Sequence, residues 1–75
     1  MNEVQAVLNA WAVACRDVHH SRIKKVAALS KMIGMKIMFF HHGHYRIGKV
    51  IGAHEDQVRV LSEEALFVEV RNIRA

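Results

Sequence analysis

Three histidines fall within four positions, in the run His41-His42-Gly43-His44, and imidazoles this dense suggest either a metal centre or a titrating, stacking surface. A zinc site needs three or four nitrogen, sulfur or oxygen donors converging at about 2.0–2.3 Å, oriented by a fixed second layer of groups. Adjacent strand residues point to opposite faces, so His41 and His42 diverge unless the turn is distorted. No Cys-x-x-Cys, His-Glu-x-x-His or nearby carboxylate pair accompanies them. The run therefore reads as a hairpin tip in which Gly43 supplies the positive φ of a tight turn, and no metal or other cofactor is expected. Rings at such a tip, His42 and His44 foremost, offer donors and stacking planes, and histidine gains charge below a pH of about 6.5.

Other reactive side chains form no catalytic constellation. Ser21, Ser30 and Ser62 lack a Gly-x-Ser-x-Gly setting, no Gly-x-x-x-x-Gly-Lys loop exists, and Glu55, Asp56, Glu63 and Glu64 crowd into turn-like segments. Cys15 is the one cysteine, set in an apolar helical run, and reads as a small buried hydrophobe in a reducing compartment. The chain is expected to be a binding module and not an enzyme. An active site assembled at the axis of a symmetric oligomer is the remaining way to catalysis, and nothing in the sequence names a substrate for it.

Charge points to the class of partner. The net charge is +4, and from Arg16 to Lys49 eight basic residues stand against the single acid Asp17. Residues 50–75 reverse the balance, with three basic and five acidic side chains. A positive field confined to the middle of the chain favours an anionic partner, most often nucleic acid; a solubilising face is the plainer reading. Asn2 and Glu3 precede the first apolar segment without a basic region, which argues against a signal peptide, and no apolar run reaches the ~20 residues of a membrane span. A cytosolic location is expected.

These side chains need elements to position them. Seventy-five residues make one domain, with 1–33 as a helical segment and 34–75 as a β-barrel. Val4, Leu8, Trp11, Cys15 and Val18 recur on one helical face, so residues 3 to about 20 read as an amphipathic helix, capped by Asn2 with Gln5. The phase slips at His19, His20 and Ser21, after which Ile23, Val26, Ala27 and Leu29 begin a new stripe with Lys24, Lys25 and Lys31 outside it. Either Ser21 caps a second, shorter helix to about Met32, or one long helix bends there; Gly34 supplies the stop. From Met35 the period becomes two, with runs at 35–40, 45–53, 57–61 and 65–70 separated by short polar turns. Gly48 and Gly52 inside the second run suggest a bulge or sharp bend. The fold class is α+β: a helix or helical hairpin, then a four- or five-stranded antiparallel barrel.

Gly34, Ile37 and Phe39, then Arg46, Gly48 and Val50, then Val58 and Val60, then Val68 to Ile73 give this second part its pattern, and over residues 33–74 it resembles the small SH3-like barrels of the Tudor and KOW type. That resemblance implies a module that binds RNA, DNA or a protein and seldom catalyses. It departs from the methyl-lysine readers, which cage their ligand in several aromatics; here only Phe39, Phe40, Tyr45 and Phe67 are on hand.

Two functions follow as expectations. The first is nucleic-acid binding with little sequence preference, through Arg22, Lys24, Lys25, Lys31, Lys36, Arg46 and Lys49, with Tyr45, Phe40, His42 and His44 available for stacking. The second is a protein-interaction adaptor, regulator or inhibitor, a small chain of the kind phages and mobile elements encode, acting through Val4, Leu8, Trp11 and Val18 of the first helix and Met38, Phe40 and Phe67 of the sheet. With 52% hydrophobic residues on so small a body, a homo-oligomer is also expected.

Overall fold

A computed structural model of the protein describes residues 2–75. Two helices, α1 (Glu3–Ala14) and α2 (Ser21–Ser30), precede five antiparallel strands: β1 (Lys36–His41), β2 (His44–Ala53), β3 (Gln57–Ser62), β4 (Glu64–Glu69) and β5 (Ile73–Arg74). A single 3-10 turn, Val70–Asn72, joins β4 to β5. No helix among the described residues is long and apolar enough to cross a membrane.

Helix α1 begins where the Asn2 side chain accepts from the Gln5 N–H at 2.7 Å. The Gln5 amide turns to Asn9 at 2.8 Å, so only half of the expected capping box forms. The helix stops at Ala14, well short of His20, which corrects the expected length. Arg16 and Asp17 N–H groups bond back three residues, to Val13 and Ala14, and one Asp17 carboxylate oxygen accepts from the N–H groups of both His19 (2.9 Å) and His20 (2.8 Å). A short side chain that captures backbone donors offers the chain an alternative to helix, and here it wins. The two helices are therefore separate, and His20, not Ser21, occupies the capping position of α2 without a side-chain cap bond. Cys15 and Val18 fall outside α1 and are exposed, against expectation for the thiol.

Helix α2 ends at Ser30, before the expected stop: the N–H groups of Lys31, Met32 and Ile33 bond back three residues as turns, and only then does Gly34 adopt φ +95°, a left-handed conformation that costs other residues about 1 kcal/mol or more. The Gly34 N–H then donates to the Val50 carbonyl (2.8 Å) and the Val50 N–H to the Met35 carbonyl (2.9 Å), so the helix stop feeds directly into the sheet.

In the sheet the strand order is β4-β3-β2-β1-β5. Strands β4 and β5 thus lie at opposite edges although only Val70–Asn72 separates them. Four inter-strand spacings would set the edges of a flat sheet about 19 Å apart, whereas a three-residue 3-10 turn advances only about 6 Å. The sheet must roll up. It does not close: β1 pairs with β2 and, at Met38 and Phe39 only, with β5, and no ladder among the described residues joins β4 to β1 or β5. The closed barrel expected from the sequence is in fact an open, rolled sheet.

Rolling puts one side chain of every two inside. Ile37, Phe39, Val50, Val58, Val60, Val68, Val70 and Ile73 are buried there, and Val7, Leu29 and Met32 of the helical segment complete the core. Gly48 is a requirement of the roll: a Cβ there would lie 2.5 Å from Val60 Cγ1 and 2.9 Å from the Leu61 carbonyl oxygen. The register slips between Val50 and Gly52, so the expected bulge sits beside the second glycine.

Candidate nucleic-acid interface

The polar turn between β2 and β3, residues 54–56, docks the helices onto the sheet. Trp11 Nε1 donates to the Glu55 carbonyl at 2.8 Å, the Asp56 carbonyl accepts from Val70 N–H at 3.0 Å, and the two carboxylates meet cations of α2. Arg22 pairs with Glu55 and Lys25 with Asp56 (2.9 Å); Lys24 pairs with Asp17. Lys25 is only 16% exposed along its side chain, so its stem lies on the packed side of α2, opposite to the placement its phase suggested. Correspondingly Ile23, expected in the apolar stripe, is exposed.

These bonds leave a signature in the titrating groups. The hydrogen bond from Lys24, helped by the His20 and His19 N–H groups, lowers the Asp17 carboxyl to about 2. The Asp56 carboxylate raises the Lys25 ammonium above its ordinary value. Three of the four cations expected from α2 are thus bound to acids of their own chain, and only Lys31 takes part in no ion pair among the described residues.

On the sheet the cations stand differently. Alternation and register place Lys36, Met38 and Phe40 of β1, Tyr45, Ile47 and Lys49 of β2, Arg59 and Leu61 of β3, Ala65 and Phe67 of β4 and Arg74 of β5 on the outer face. Lys36 lies directly opposite Lys49, Met38 opposite Ile47 and Phe40 opposite Tyr45. Neither lysine joins an ion pair among the described residues. Two like charges facing each other across strands are unfavourable in isolation. The Phe40 and Tyr45 rings meet edge to face at 5.2 Å, the Arg74 guanidinium lies 5.7 Å over Tyr45, and the Arg59 guanidinium lies 5.4 Å over Phe67. His54 adds its ring to Phe67 at 5.3 Å. Glu69 is the one acid on this face of the strands among the described residues, and Arg71 pairs with it.

The histidine run forms the β1–β2 hairpin tip. His41 and His44 are the last opposed pair, and the turn is His42 (φ +49°) and Gly43 (φ +81°). Two positive φ values are the mark of the tight hairpin turn whose twist matches its strands. The His41 and His42 rings meet at 4.0 Å, and desolvation, then His42 and Arg46, lower the His41 imidazole. No cluster of three or more metal-ligating side chains occurs among the described residues.

Of the residues expected to bind a partner protein, Val4, Leu8 and Trp11 are partly buried and pack against the chain's own core. Val18 stands exposed in the α1–α2 turn, apart from the others, while Met38, Phe40 and Phe67 lie on the outer face of the sheet, as expected. Arg59, Arg74, Ile47 and Leu61 belong to the same face and lie outside the expected set. Arg59 and Leu61 had a signal, since they alternate with Val58 and Val60; Arg74 had none, because β5 is two residues long. Comparison with protein families, curated proteins and solved structures finds no match to this chain.

Proposed function

We propose that the protein is a non-enzymatic nucleic-acid-binding module that uses the outer face of its sheet, with little sequence preference. The observation that carries this reading is the facing pair Lys36 and Lys49, held by no acid among the described residues, on the same face as Tyr45 and Phe40 and separated from them by Met38 and Ile47. A phosphate between the two ammonium groups converts their repulsion into two attractions, and the exposed rings accept bases on their faces. Arg59 and Arg74 extend the cationic rim; Arg46, opposite the core residue Phe39, lies on the other side of β2 from Lys49 and, like Lys31, adds only to the long-range field. Arg22, Lys24 and Lys25 are already paired with Glu55, Asp17 and Asp56 of their own chain and are left out of the binding set. A free thiol at Cys15 fits a cytosolic setting.

The test is fluorescence anisotropy of labelled oligonucleotides across a salt series. Each phosphate contact contributes about −0.7 to the slope of log affinity against log salt for a single strand, so a steep negative slope is expected. Affinity that barely changes with salt contradicts the reading.

Met38, Ile47 and Leu61 form an exposed aliphatic strip on the same face, which supports a second reading: docking of a partner protein or a second copy. Light scattering distinguishes the two. A stable dimer indifferent to oligonucleotide favours the second, and a monomer that binds oligonucleotide favours the first.

A further inference from the structure

Where the sheet fails to close, a cleft of about 440 Å³ opens between the β1–β2 hairpin and β4. Phe40 and His42 stand on one side, Phe67 on the other, with Gln57, Glu69 and Asn72 completing it. Through the sheet, Phe40 and Phe67 are three strands apart. Across the seam they line one site, because the roll brings the two free edges together.

We infer that this cleft takes one unpaired nucleobase of a single strand, an inference that rests on the nucleic-acid reading above. Its size falls within the roughly 300–1,000 Å³ of small-molecule sites. Both rings are exposed, 37% for Phe40 and 52% for Phe67. A base is a flat, weakly hydrated disc that gains most between aromatic walls. Asn72, Gln57 and His42 carry both donors and acceptors, so they can meet the edge of any base, in keeping with low sequence preference. Each wall is backed by a cation on the outer face, Phe67 by Arg59, and Phe40 through Tyr45 by Arg74. The phosphates on either side of an inserted base then run toward positive charge. A duplex keeps its bases stacked and paired, and reaches such a cleft only after unpairing. An extended peptide strand could fill the seam as well, but the flanking cations and paired aromatic walls favour the base.

The experiment compares a labelled twelve-nucleotide thymidine strand with a twelve-unit abasic strand of equal phosphate count, at low salt, using the full chain. The abasic strand is expected to bind roughly tenfold more weakly, the effect of losing one base–aromatic stack. Phe67→Ala should shrink that difference, and Phe67→Trp should restore it. Phe40→Ala, on the opposite wall, gives the same pattern and guards against a folding defect in the first variant. Equal affinity for the two strands overturns base insertion and the stacking on Tyr45 and Phe40, while leaving phosphate binding by the outer face intact; a difference that Phe67→Ala does not shrink overturns insertion in the cleft alone. Binding of neither strand removes the nucleic-acid reading, and the inference with it.

Discussion

Lys24 and Lys25 on α2 and Lys36 and Lys49 on the sheet are the same side chain on the same small body. The first two rest against Asp17 and Asp56, whereas the second two face each other with no acid paired to either among the described residues. Their neighbours follow suit: Arg22 is held by Glu55, while Arg59 and Arg74 lie over aromatic rings. Cations paired with acids of their own chain are neutralised where they stand and add little to the outside field. Cations left facing each other raise the energy of the free protein, and on the proposed reading a phosphate relieves that repulsion. Counting charges along a chain cannot separate these two populations.

The most severe way to break the contrast is to destroy the platform that carries one side of it. Gly48→Ala puts a methyl group 2.5 Å from Val60 Cγ1 and 2.9 Å from a backbone oxygen that cannot move aside. Overpacking of this kind costs about 1–3 kcal/mol or more, and denaturant melts should show it. Gly52→Ala, whose methyl group would sit 3.5 Å from Arg59 Cβ, should be tolerated. Equal melts for the two variants would contradict the close packing of β2 on β3.

A milder break attacks the internal pairs. The Asp17 carboxyl sits at about 2 in the folded chain against an ordinary 3.8, so between these values the folded state binds fewer protons than the unfolded one. Its contribution is complete above a pH of about 4 and disappears as pH falls toward 2. Asp17→Ala should lower the melting temperature at neutral pH and flatten the acid limb in that window, with oligonucleotide affinity retained. An unchanged acid limb would sink this assignment of Asp17.

The gentlest change leaves both populations alone. Glu63, alone between β3 and β4, holds φ +64°, which a glycine adopts without penalty. Glu63→Gly should raise stability by about 0.5 kcal/mol, the left-handed penalty less the entropy a glycine loses on folding. A loss of stability would mean that the Glu63 side chain supports the turn in some other way.

Much of the sheet is legible in the sequence because its signal is local. Alternation of buried and exposed residues gives β1 to β4 within a residue or two, and Gly43 marks the first hairpin. The break after α1 is visible as a slipped phase, but its cause is not. Asp17 looks like one stray acid in a basic block, and only the structure shows its carboxylate taking two backbone donors and a lysine. In sequence the docking turn looks like solvated turn chemistry, because Glu55 and Asp56 meet Arg22 and Lys25 from more than thirty positions away. The seam is hidden for the same reason. Whether five strands close depends on how far the sheet rolls, and no single strand records that.

The most direct test of the central claim is to reverse two charges in each population and compare salt slopes on one single-stranded oligonucleotide. Lys36→Glu with Lys49→Glu should leave the fold intact, weaken binding at low salt and make the slope shallower by about 1.4, the share of two phosphate contacts. Lys24→Glu with Lys25→Glu should lower the melting temperature and leave the slope nearly unchanged. If the α2 pair flattens the slope and the sheet pair does not, the helix is the binding face and the division of the lysines into structural and ligand-binding pairs is contradicted.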